Sequence, residues 1–299
     1  MPAQRVFVTG ASGYVGSAVA ARLVRAGHEV YGLTRRRDHA RALAAVGVHP
    51  VLGDLAGAAD WLGALQNCDA AVHAASDDTG PAARDQNALE ALRAAALDGR
   101  VRRVIYTSGV WVNGAGDPGV VVDESTPVRP LELVQWRVAH EEIALDLASH
   151  DVAVVVLRPG IVYGECRGIL GAWFAEAHER HALHYPGDGA QHWPLVHRDD
   201  LAEAYALALE HASGGERFVL GDESRHRVKE LAEAAAAAAG VPAESTPAAE
   251  VVGSLALYGR ALLADMMATS AKARRELGWV ARHTSFVAEA PALLREWTL

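Results

Sequence analysis

A glycine-rich turn between a strand and a helix is the feature that most constrains this chain. The β-branched and aromatic run Arg5-Val-Phe-Val-Thr9 ends at Gly10-Ala-Ser-Gly-Tyr-Val-Gly16, after which apolar residues recur at helical spacing. Gly10 is predicted to allow the turn, Gly13 to let the backbone approach a pyrophosphate, and Gly16 to let the helix pack closely on the strand. The N-terminus of the helix would hold the phosphates, so the stretch predicts a dinucleotide site.

The end of the next strand indicates which dinucleotide. Glu29-Val-Tyr-Gly-Leu33 follows at the distance that a βαβ unit requires, and an acidic residue at its end would hold the ribose 2′-hydroxyl of NAD. That place reads Thr34-Arg35-Arg36-Arg37 instead. Guanidinium groups suit a 2′-phosphate, so NADP(H) is favoured over NAD(H). The alternative is a solvated charge run in a surface loop.

Composition excludes several classes of partner. A formal net charge of −9 argues against nucleic acid or an anionic membrane surface. Cys68 and Cys166 have no metal-ligand spacing, and Asp77-Asp78 are expected to be solvated, so no metal is predicted. A strand begins within five residues of Met1 and no apolar stretch reaches the ~20 residues of a membrane span. We therefore expect a cytoplasmic protein. The sequence does not determine its oligomeric state.

Alternation of short apolar strands with helices predicts the fold class, a doubly wound α/β protein with a parallel Rossmann-type sheet. Ligands of such sheets bind at the carboxyl ends of the strands. The residues expected there are Ala74, Ala75, Thr107 and Ser108, and the carboxylate of Asp54, followed by Leu55, could reach an adenine amino group. We predict a cofactor domain over 1–164 plus 193–222, and a smaller discontinuous substrate lobe over 165–192 plus 223–299.

Several ordered motifs carry a family resemblance across nearly the whole chain. They are Thr9–Gly16, Gly53-Asp-Leu55, His73-Ala-Ala75, Tyr106-Thr-Ser108, Leu157-Arg-Pro-Gly-Ile-Val-Tyr-Gly164, Val196-His-Arg-Asp-Asp200 and Glu276-Leu-Gly-Trp279. Together they resemble the extended or atypical short-chain dehydrogenase/reductases, the epimerase/dehydratase relatives. The resemblance implies a Rossmann fold and a nicotinamide cofactor bound by the matching positions, namely Gly10, Ser12, Gly13, Tyr14, Val15, Gly16, Arg35, Arg36, Asp54, Leu55, Ala74, Ala75, Thr107, Pro159, Gly160 and Ile161.

The chain departs from that family at the catalytic positions. Such enzymes use a tyrosine with a lysine four residues later, and a serine or threonine after the fifth strand. Aligned on Glu142, the tyrosine and lysine places hold Val134 and Val138, and aligned on Glu141 they hold Leu133 and Arg137. The third place reads Gly109. Weaker candidates for the chemistry are Ser108, the nearest hydroxyl, and His192, an alternative acid.

A substrate that carries its own acid would reduce the need for the missing tyrosine. A phenol beside a ketone on a polycyclic aromatic could stabilise the developing oxyanion itself. Aromatic residues in the loop and lobe segments would suit such a ligand: Trp111, Trp173, Phe174, Tyr185, Trp193 and Tyr258. We single out Trp111, Asn113, Gln191 and Trp193 as substrate contacts.

The pattern of losses resembles the angucyclinone ketoreductases of actinomycete aromatic polyketide pathways. The expected function is therefore NADPH-dependent reduction of a bulky polycyclic aromatic ketone, without the usual tyrosine. The alternative is a non-catalytic NADP(H)-binding sensor. An epimerase or dehydratase is a third possibility, and it would need a base that the helix does not supply.

Overall fold

The computed structural model describes residues 2–76, 80–115, 119–165 and 167–297. In the first third of the chain, strands and helices alternate as the sequence predicts. Their bounds are β1 (Arg5–Thr9), α1 (Tyr14–Arg25), β2 (Glu29–Thr34), α2 (Arg37–Ala45), β3 (His49–Leu52), α3 (Leu62–Gln66), β4 (Ala70–His73), α4 (Pro81–Asp98) and β5 (Arg103–Thr107). Asp77, Asp78 and Cys166 lie outside the described residues.

The rest of the chain is less regular. The sequence after Pro130 predicts one helix from about Leu131 to Ser149. The structure has instead a shorter helix, α5, between two 3-10 turns, Glu132–Val134 and Leu147–His150. The bounds are β6 (Val121–Val122), α5 (Trp136–Asp146), β7 (Ala153–Pro159), β8 (Ile161–Tyr163), α6 (Gly168–Arg180), β9 (Leu183–Pro186), β10 (Leu195–His197), α7 (Arg198–His211), β11 (Glu216–Leu220), α8 (Val228–Ala239), β12 (Ala243–Thr246), α9 (Ala248–Leu262), β13 (Met267–Ala268), α10 (Ala271–Leu277) and α11 (Phe286–Trp297). A further 3-10 turn spans Val110–Val112.

The main sheet has seven parallel strands in the order β11-β7-β5-β4-β1-β2-β3. The predicted fold class, a Rossmann-type parallel sheet with helices on both faces, is confirmed. From β1 the chain builds outward first through β2 and β3, and then through β4 and β5 on the other side. The strand order therefore reverses between β1 and β4, which opens a crevice at their carboxyl ends.

Both faces of the sheet are covered, which explains the continuous apolar strands. Val6 and Val8 of β1 belong to one core with α1 and α7, whereas Phe7 belongs to the opposite core, where it stacks on Trp61. Successive residues of a strand face opposite sides of the sheet. A strand that is buried on both sides is therefore apolar at nearly every position.

A third core joins the helices α6, α8 and α11. It includes Tyr163 of β8 and Trp193, which the sequence-based division assigned to the cofactor domain. Conversely, Trp279, just after α10, packs into the first core although it was assigned to the lobe. These packing contacts cross the predicted boundary, and the division into two units stays a prediction. No helix among the described residues combines the length and apolarity needed to cross a membrane.

Candidate functional site

The turn after β1 is shaped by close backbone approaches. Gly10 has a φ of +68°, and a methyl group added there would lie 2.7 Å from Cα of Ala75. A methyl group at Gly16 would lie 2.1 Å from the carbonyl oxygen of Gly10. Gly13 precedes α1 and no side chain caps that helix start, which leaves its first N–H groups facing the crevice. The backbone therefore forms a cradle that only glycine allows at these two positions.

A first cavity of about 340 Å³ lies over this turn. Ten of the residues predicted to bind the cofactor line it: Gly10, Ser12, Gly13, Tyr14, Val15, Arg35, Asp54, Leu55, Ala74 and Ala75. Gly16 lies beneath the turn, and Thr107 is turned away, because its hydroxyl lies 2.6 Å from that of Tyr205. The structure thus brings together residues from the ends of β1, β2 and β4 and from the loop after β3.

The charged end of this cavity contains one of the two predicted arginines. Arg35 lines the wall, with its guanidinium 3.9 Å from a carboxylate oxygen of Asp54. Arg36 instead donates from Nε to Asp38 over 3.0 Å and lies outside the lining, so its predicted role in the site is corrected. Sequence reasoning missed Arg84, which lines the cavity and donates to Asp54 over 2.7 Å. The hydroxyls of Ser12 and Thr34, 3.2 Å apart, complete this end.

A second cavity, about 350 Å³, continues along the sheet edge. Tyr14 and Val15 line both cavities, and the predicted Pro159, Gly160 and Ile161 line the second. The other walls are mostly apolar, with Val110, Trp111 and Val134 on one side and Ile169 on another. The two cavities are therefore neighbours that share one wall.

Few polar side chains face the second cavity. Ser108 is buried, and its hydroxyl has no hydrogen-bond partner within the described part of the chain. Arg137 donates to the carbonyl oxygen of Thr107 over 3.1 Å and lies against the Trp136 ring, 4.4 Å from its centroid. The Tyr14 hydroxyl is occupied, since it donates to the carbonyl oxygen of Gly164 over 2.7 Å. Tyr258 of α9 contributes a phenol.

An ion pair distinguishes the two glutamates on which α5 can be aligned. Glu141 is fully buried and accepts two hydrogen bonds from Arg158, at 2.9 and 2.6 Å. Glu142 is exposed, and its partner is Arg217. Arg137 lines the second cavity and Val138 does not, so each alignment places one of its two residues at the cavity. Val134 lines the cavity and Leu133 does not, because the 3-10 turn before α5 changes the residue spacing.

The predicted substrate contacts separate into two groups. Trp111 lines the second cavity and meets Tyr258 edge-on, with ring centroids 6.2 Å apart. Trp193 is 2% exposed, stacks on Trp173 and donates to the carbonyl of Leu262, so it belongs to the core. Asn113 is held between Arg158 and the carbonyl of Asp123. Trp193 and Asn113 are therefore corrected to structural roles.

Gln191 and His192 lie elsewhere. The amide of Gln191 donates to the carbonyls of Pro186 and Leu262, which fixes it as a buried brace. Nδ1 of His192 lies 2.9 Å from Asp265. Both residues line a separate, wider opening between β9 and α9, and neither lines the cavity beside Ser108. Their predicted places in the substrate site are corrected accordingly.

A buried polar cluster supports both cavities from below. Asp85 of α4 accepts hydrogen bonds from Nε2 of His73 (2.9 Å), from Nδ1 of His140 (2.7 Å) and from the hydroxyl of Tyr106 (2.7 Å). Burial alone would raise the pKa of Asp85, but the hydrogen bond and charge of His73, together with the other two bonds, lower it to about 2. His73 ends the strand before Ala74, and Tyr106 lies just before Thr107, so this carboxylate ties two strand ends together. The members are too far apart in the sequence for any local pattern to indicate them.

Comparison with known proteins gives the family. The sequence model of the NAD dependent epimerase/dehydratase family matches residues 6–221. The chain belongs to that family. An uncharacterized protein of Schizosaccharomyces pombe is 29% identical over 293 residues, which are 95% of this chain and 97% of that protein.

Two further relatives have named activities or ligands. A 4-hydroxy-2-methyl-3-oxo-4-farnesyl-3,4-dihydroquinoline-1-oxide ketoreductase of Stigmatella aurantiaca is 29% identical over 227 residues, 73% of this chain and 68% of that enzyme. Among solved structures, MoeE5 in complex with UDP-glucuronic acid and NAD is 25% identical, with a TM-score of 0.81 and 98% of each chain covered. Both relatives are similar to this chain over most of its length.

Proposed function

We propose that this protein is an NADPH-dependent ketoreductase that reduces a bulky, polycyclic aromatic ketone of the angucyclinone type. The observation that carries the proposal is the pair of adjoining cavities. The first offers a glycine cradle and guanidinium groups, and the second offers apolar walls with Ser108 and Arg137 at its base. A dinucleotide laid along the sheet edge would place its nicotinamide at the second cavity, as binding at a switch point implies.

The residues present fit a nicotinamide dinucleotide. The uncapped start of α1 and the close approach at Gly10 leave room for a pyrophosphate but not for a side chain. NAD occupies the related MoeE5 structure. The buried hydroxyl of Ser108, which has no partner among the described residues, supports a polar ligand atom in the second cavity.

The preference for NADPH rests on the end of β2. Arg35 and the hydroxyls of Ser12 and Thr34 are the groups that a 2′-phosphate would meet, and β2 ends without a carboxylate. Asp54 lies nearby, but Arg35 and Arg84 both approach it, so positive charge exceeds negative charge at this end. A phosphate gains charge-assisted hydrogen bonds there that a ribose hydroxyl would not.

An aromatic ketone suits the second cavity. Trp111 and Tyr258 offer ring surfaces, and no basic cluster beyond Arg137 lines this part of the described chain to hold a second diphosphate. The Stigmatella relative is named for a 3-oxo group beside a 4-hydroxy group on a fused dihydroquinoline. That name is consistent with a fused-ring ketone that carries its own hydroxyl.

The chemistry divides between the cofactor and the chain. Reduced nicotinamide, when bound, supplies hydride. The chain positions the ketone between Trp111 and Tyr258, excludes water with its apolar walls, and presents Ser108 as a hydrogen-bond donor to an oxygen. Positioning alone approaches effective molarities of about 10⁵–10⁸ M, whereas general acid catalysis contributes roughly 10²–10⁴-fold. Reduction is therefore feasible although Val134, in the turn before α5, is apolar and supplies no proton to the cavity.

The test is oxidation of NADPH with a panel of hydroxylated polycyclic aromatic ketones, alongside titration of NADPH and NADH binding by fluorescence. We expect turnover with NADPH and weaker binding of NADH. A non-catalytic sensor is the second candidate, favoured by an apolar residue, Leu133 or Val134, at the place where the family has its tyrosine. Tight NADPH binding with no turnover across the panel would select the sensor, and absence of dinucleotide binding would contradict both.

A further inference from the structure

We propose that Tyr258, on the helix α9 of the lobe, is the general acid of the second cavity. The proposal rests on the proposed ketoreductase function and gives it a proton donor within the chain. It replaces an acid on α5 with one that reaches the cavity from the opposite wall.

The first step is elimination among the side chains that line the cavity. Apart from Trp111, whose indole N–H donates hydrogen bonds but does not act as an acid, four of them carry a proton on oxygen or nitrogen: Tyr14, Ser108, Arg137 and Tyr258. The hydroxyl of Tyr14 is committed to the carbonyl of Gly164. A guanidinium does not deprotonate in proteins, and a serine alcohol is a far weaker acid than a phenol. Tyr258 is the remaining donor.

The second step is the backbone that places Tyr258. Ala256, two residues earlier, has a φ of +49° and a ψ of −123°, which breaks α9 with a kink. An alanine in this region is strained, and such strain persists where the surroundings hold it and is concentrated at functional sites. The kink redirects the helix so that the Tyr258 ring meets Trp111 edge-on at the cavity wall.

Two contacts hold the kinked helix in place. Gly259 packs so tightly that a methyl group there would lie 2.4 Å from the carbonyl oxygen of Val251. Arg260 donates to Glu132 over 3.1 Å, which ties α9 to the 3-10 turn before α5. The phenol is therefore anchored on both sides, to its own helix and to the element that presents Val134 and Arg137.

The third step is the protonation state. Partial burial raises the pKa of Tyr258 above its usual value, so the phenol stays protonated at neutral pH. The hydroxyl has no hydrogen-bond partner among the residues that the structure describes, and it is free to donate to a ligand. The charged groups around it are Arg137 across the cavity and the Glu132–Arg260 pair.

The balanced step is simple. Hydride from the reduced nicotinamide dinucleotide forms the new C–H bond at the carbonyl carbon, and the π electrons of the C=O bond move to oxygen. That oxygen takes the proton of the Tyr258 O–H, and water then returns a proton to the phenolate. The products are the alcohol and the oxidised dinucleotide.

The experiment compares Tyr258→Phe with a matched control, Tyr31→Phe. Tyr31 lies on β2 and loses the same atom, and it lines neither cavity. We expect Tyr258→Phe to lower kcat by roughly 10²-fold or more, with KM and the Kd for NADPH nearly unchanged. The alkaline fall of kcat in the wild type should disappear in this variant. Unchanged kcat and an unchanged alkaline limb would overturn the proposal.

Two further measurements distinguish a failure of this inference from a failure of the proposed ketoreductase function. A ketone whose neighbouring hydroxyl is blocked as a methyl ether should still be reduced by the wild type and lose the same factor in Tyr258→Phe. If the free-hydroxyl ketone is insensitive to Tyr258→Phe and the ether is not reduced, the substrate is its own acid and this inference fails while the ketoreductase stands.

The second measurement, an ultraviolet difference spectrum, does not require turnover. Adding NADP⁺ should lower the pH at which one phenol ionises in the ultraviolet difference spectrum, because a nicotinamide cation would lie beside Tyr258. The change should be absent from Tyr258→Phe and present in Tyr31→Phe. An identical spectrum in all three proteins would overturn the assignment, whereas wild type that lacks turnover but shows the change would count against the ketoreductase alone.

Discussion

The two cavities offer different physical means of recognising a ligand. The first is built from backbone and charge: a glycine cradle, a helix start and two arginines beside Asp54. The second is built from apolar walls, with isolated polar groups contributed by β5, α5 and α9. Charge recognition is screened by salt, whereas shape and burial are not. We therefore expect the dinucleotide end to be sensitive to ionic strength and the substrate end to be sensitive to side-chain volume.

The largest effect is expected where both cavities depend on one residue. Asp85→Asn removes the charge that His73, His140 and Tyr106 share and should lower the free energy of unfolding by about 3 kcal/mol. Urea unfolding measures this change. Asp98→Asn, at the exposed end of the same helix, should stay within about 0.5 kcal/mol of wild type. Equal free energies of unfolding for the two variants would show that the Asp85 cluster does not stabilise the fold.

The same carboxylate gives a pH dependence with a definite sign. The folded pKa of Asp85, about 2, is below its ordinary 3.8, so its ionised form stabilises the fold. That stability is present above about pH 4 and is lost as the pH falls toward 2. The free energies of unfolding of wild type and Asp85→Asn, measured as the pH is lowered, should converge at low pH. Curves that stay parallel down to pH 2 would contradict the lowered pKa.

Gly16→Ala should disrupt the first cavity selectively. The added methyl would lie 2.1 Å from the carbonyl oxygen of Gly10, so the turn must move. We expect a loss of about 2 kcal/mol of stability and of NADPH binding, measured by calorimetry and fluorescence titration. Gly63→Ala is the control, because the space around Gly63 in α3 is open. Normal NADPH binding by Gly16→Ala would mean that the cradle is not the phosphate site.

Arg35→Ala sharpens the contrast in charge. The variant removes one charge-assisted hydrogen bond to a 2′-phosphate. We expect its affinity for NADPH to fall by about tenfold and its affinity for NADH to stay nearly unchanged. Arg36→Ala serves as the matched control, since Arg36 is paired with Asp38 and lies outside the cavity. The difference between the two variants should shrink as salt is added. Equal losses for NADPH and NADH would remove the argument for the phosphorylated cofactor.

The smallest expected effect concerns the kink of α9. Ala256→Gly should raise the free energy of unfolding by about 1 kcal/mol, because glycine accepts the positive φ that strains alanine. Ala249→Gly, at an exposed position of the same helix, should lower it by a similar amount. Thermal denaturation distinguishes the signs. A loss of stability in both variants would show that Ala256 is not strained.

More of the first cavity than of the second followed from the sequence, for a physical reason. The cradle, the strand ends and Arg35 follow from contiguous runs in which glycine, β-branched residues and charge mark a βαβ unit. The Asp85 cluster joins residues 12 to 55 positions apart, and Arg84 meets Asp54 across 30 positions. Tyr258 reaches Trp111 from α9 through tertiary packing alone. Trp193 could not be told from a substrate contact, because an aromatic side chain looks the same in sequence whether it fills a core or a pocket. The sequence left two alignments of α5 open, and the 3-10 turn before that helix puts Val134 on the cavity wall in place of Leu133.

Tyr14 is part of the wall of both cavities, and its hydroxyl is held by Gly164 while Arg198 donates to its carbonyl oxygen. A residue fixed in this way cannot move aside for one ligand without altering the space of the other. A ketone seated in the second cavity would cover the inner end of a dinucleotide in the first. We therefore expect compulsory-order kinetics, in which the dinucleotide enters first and leaves last.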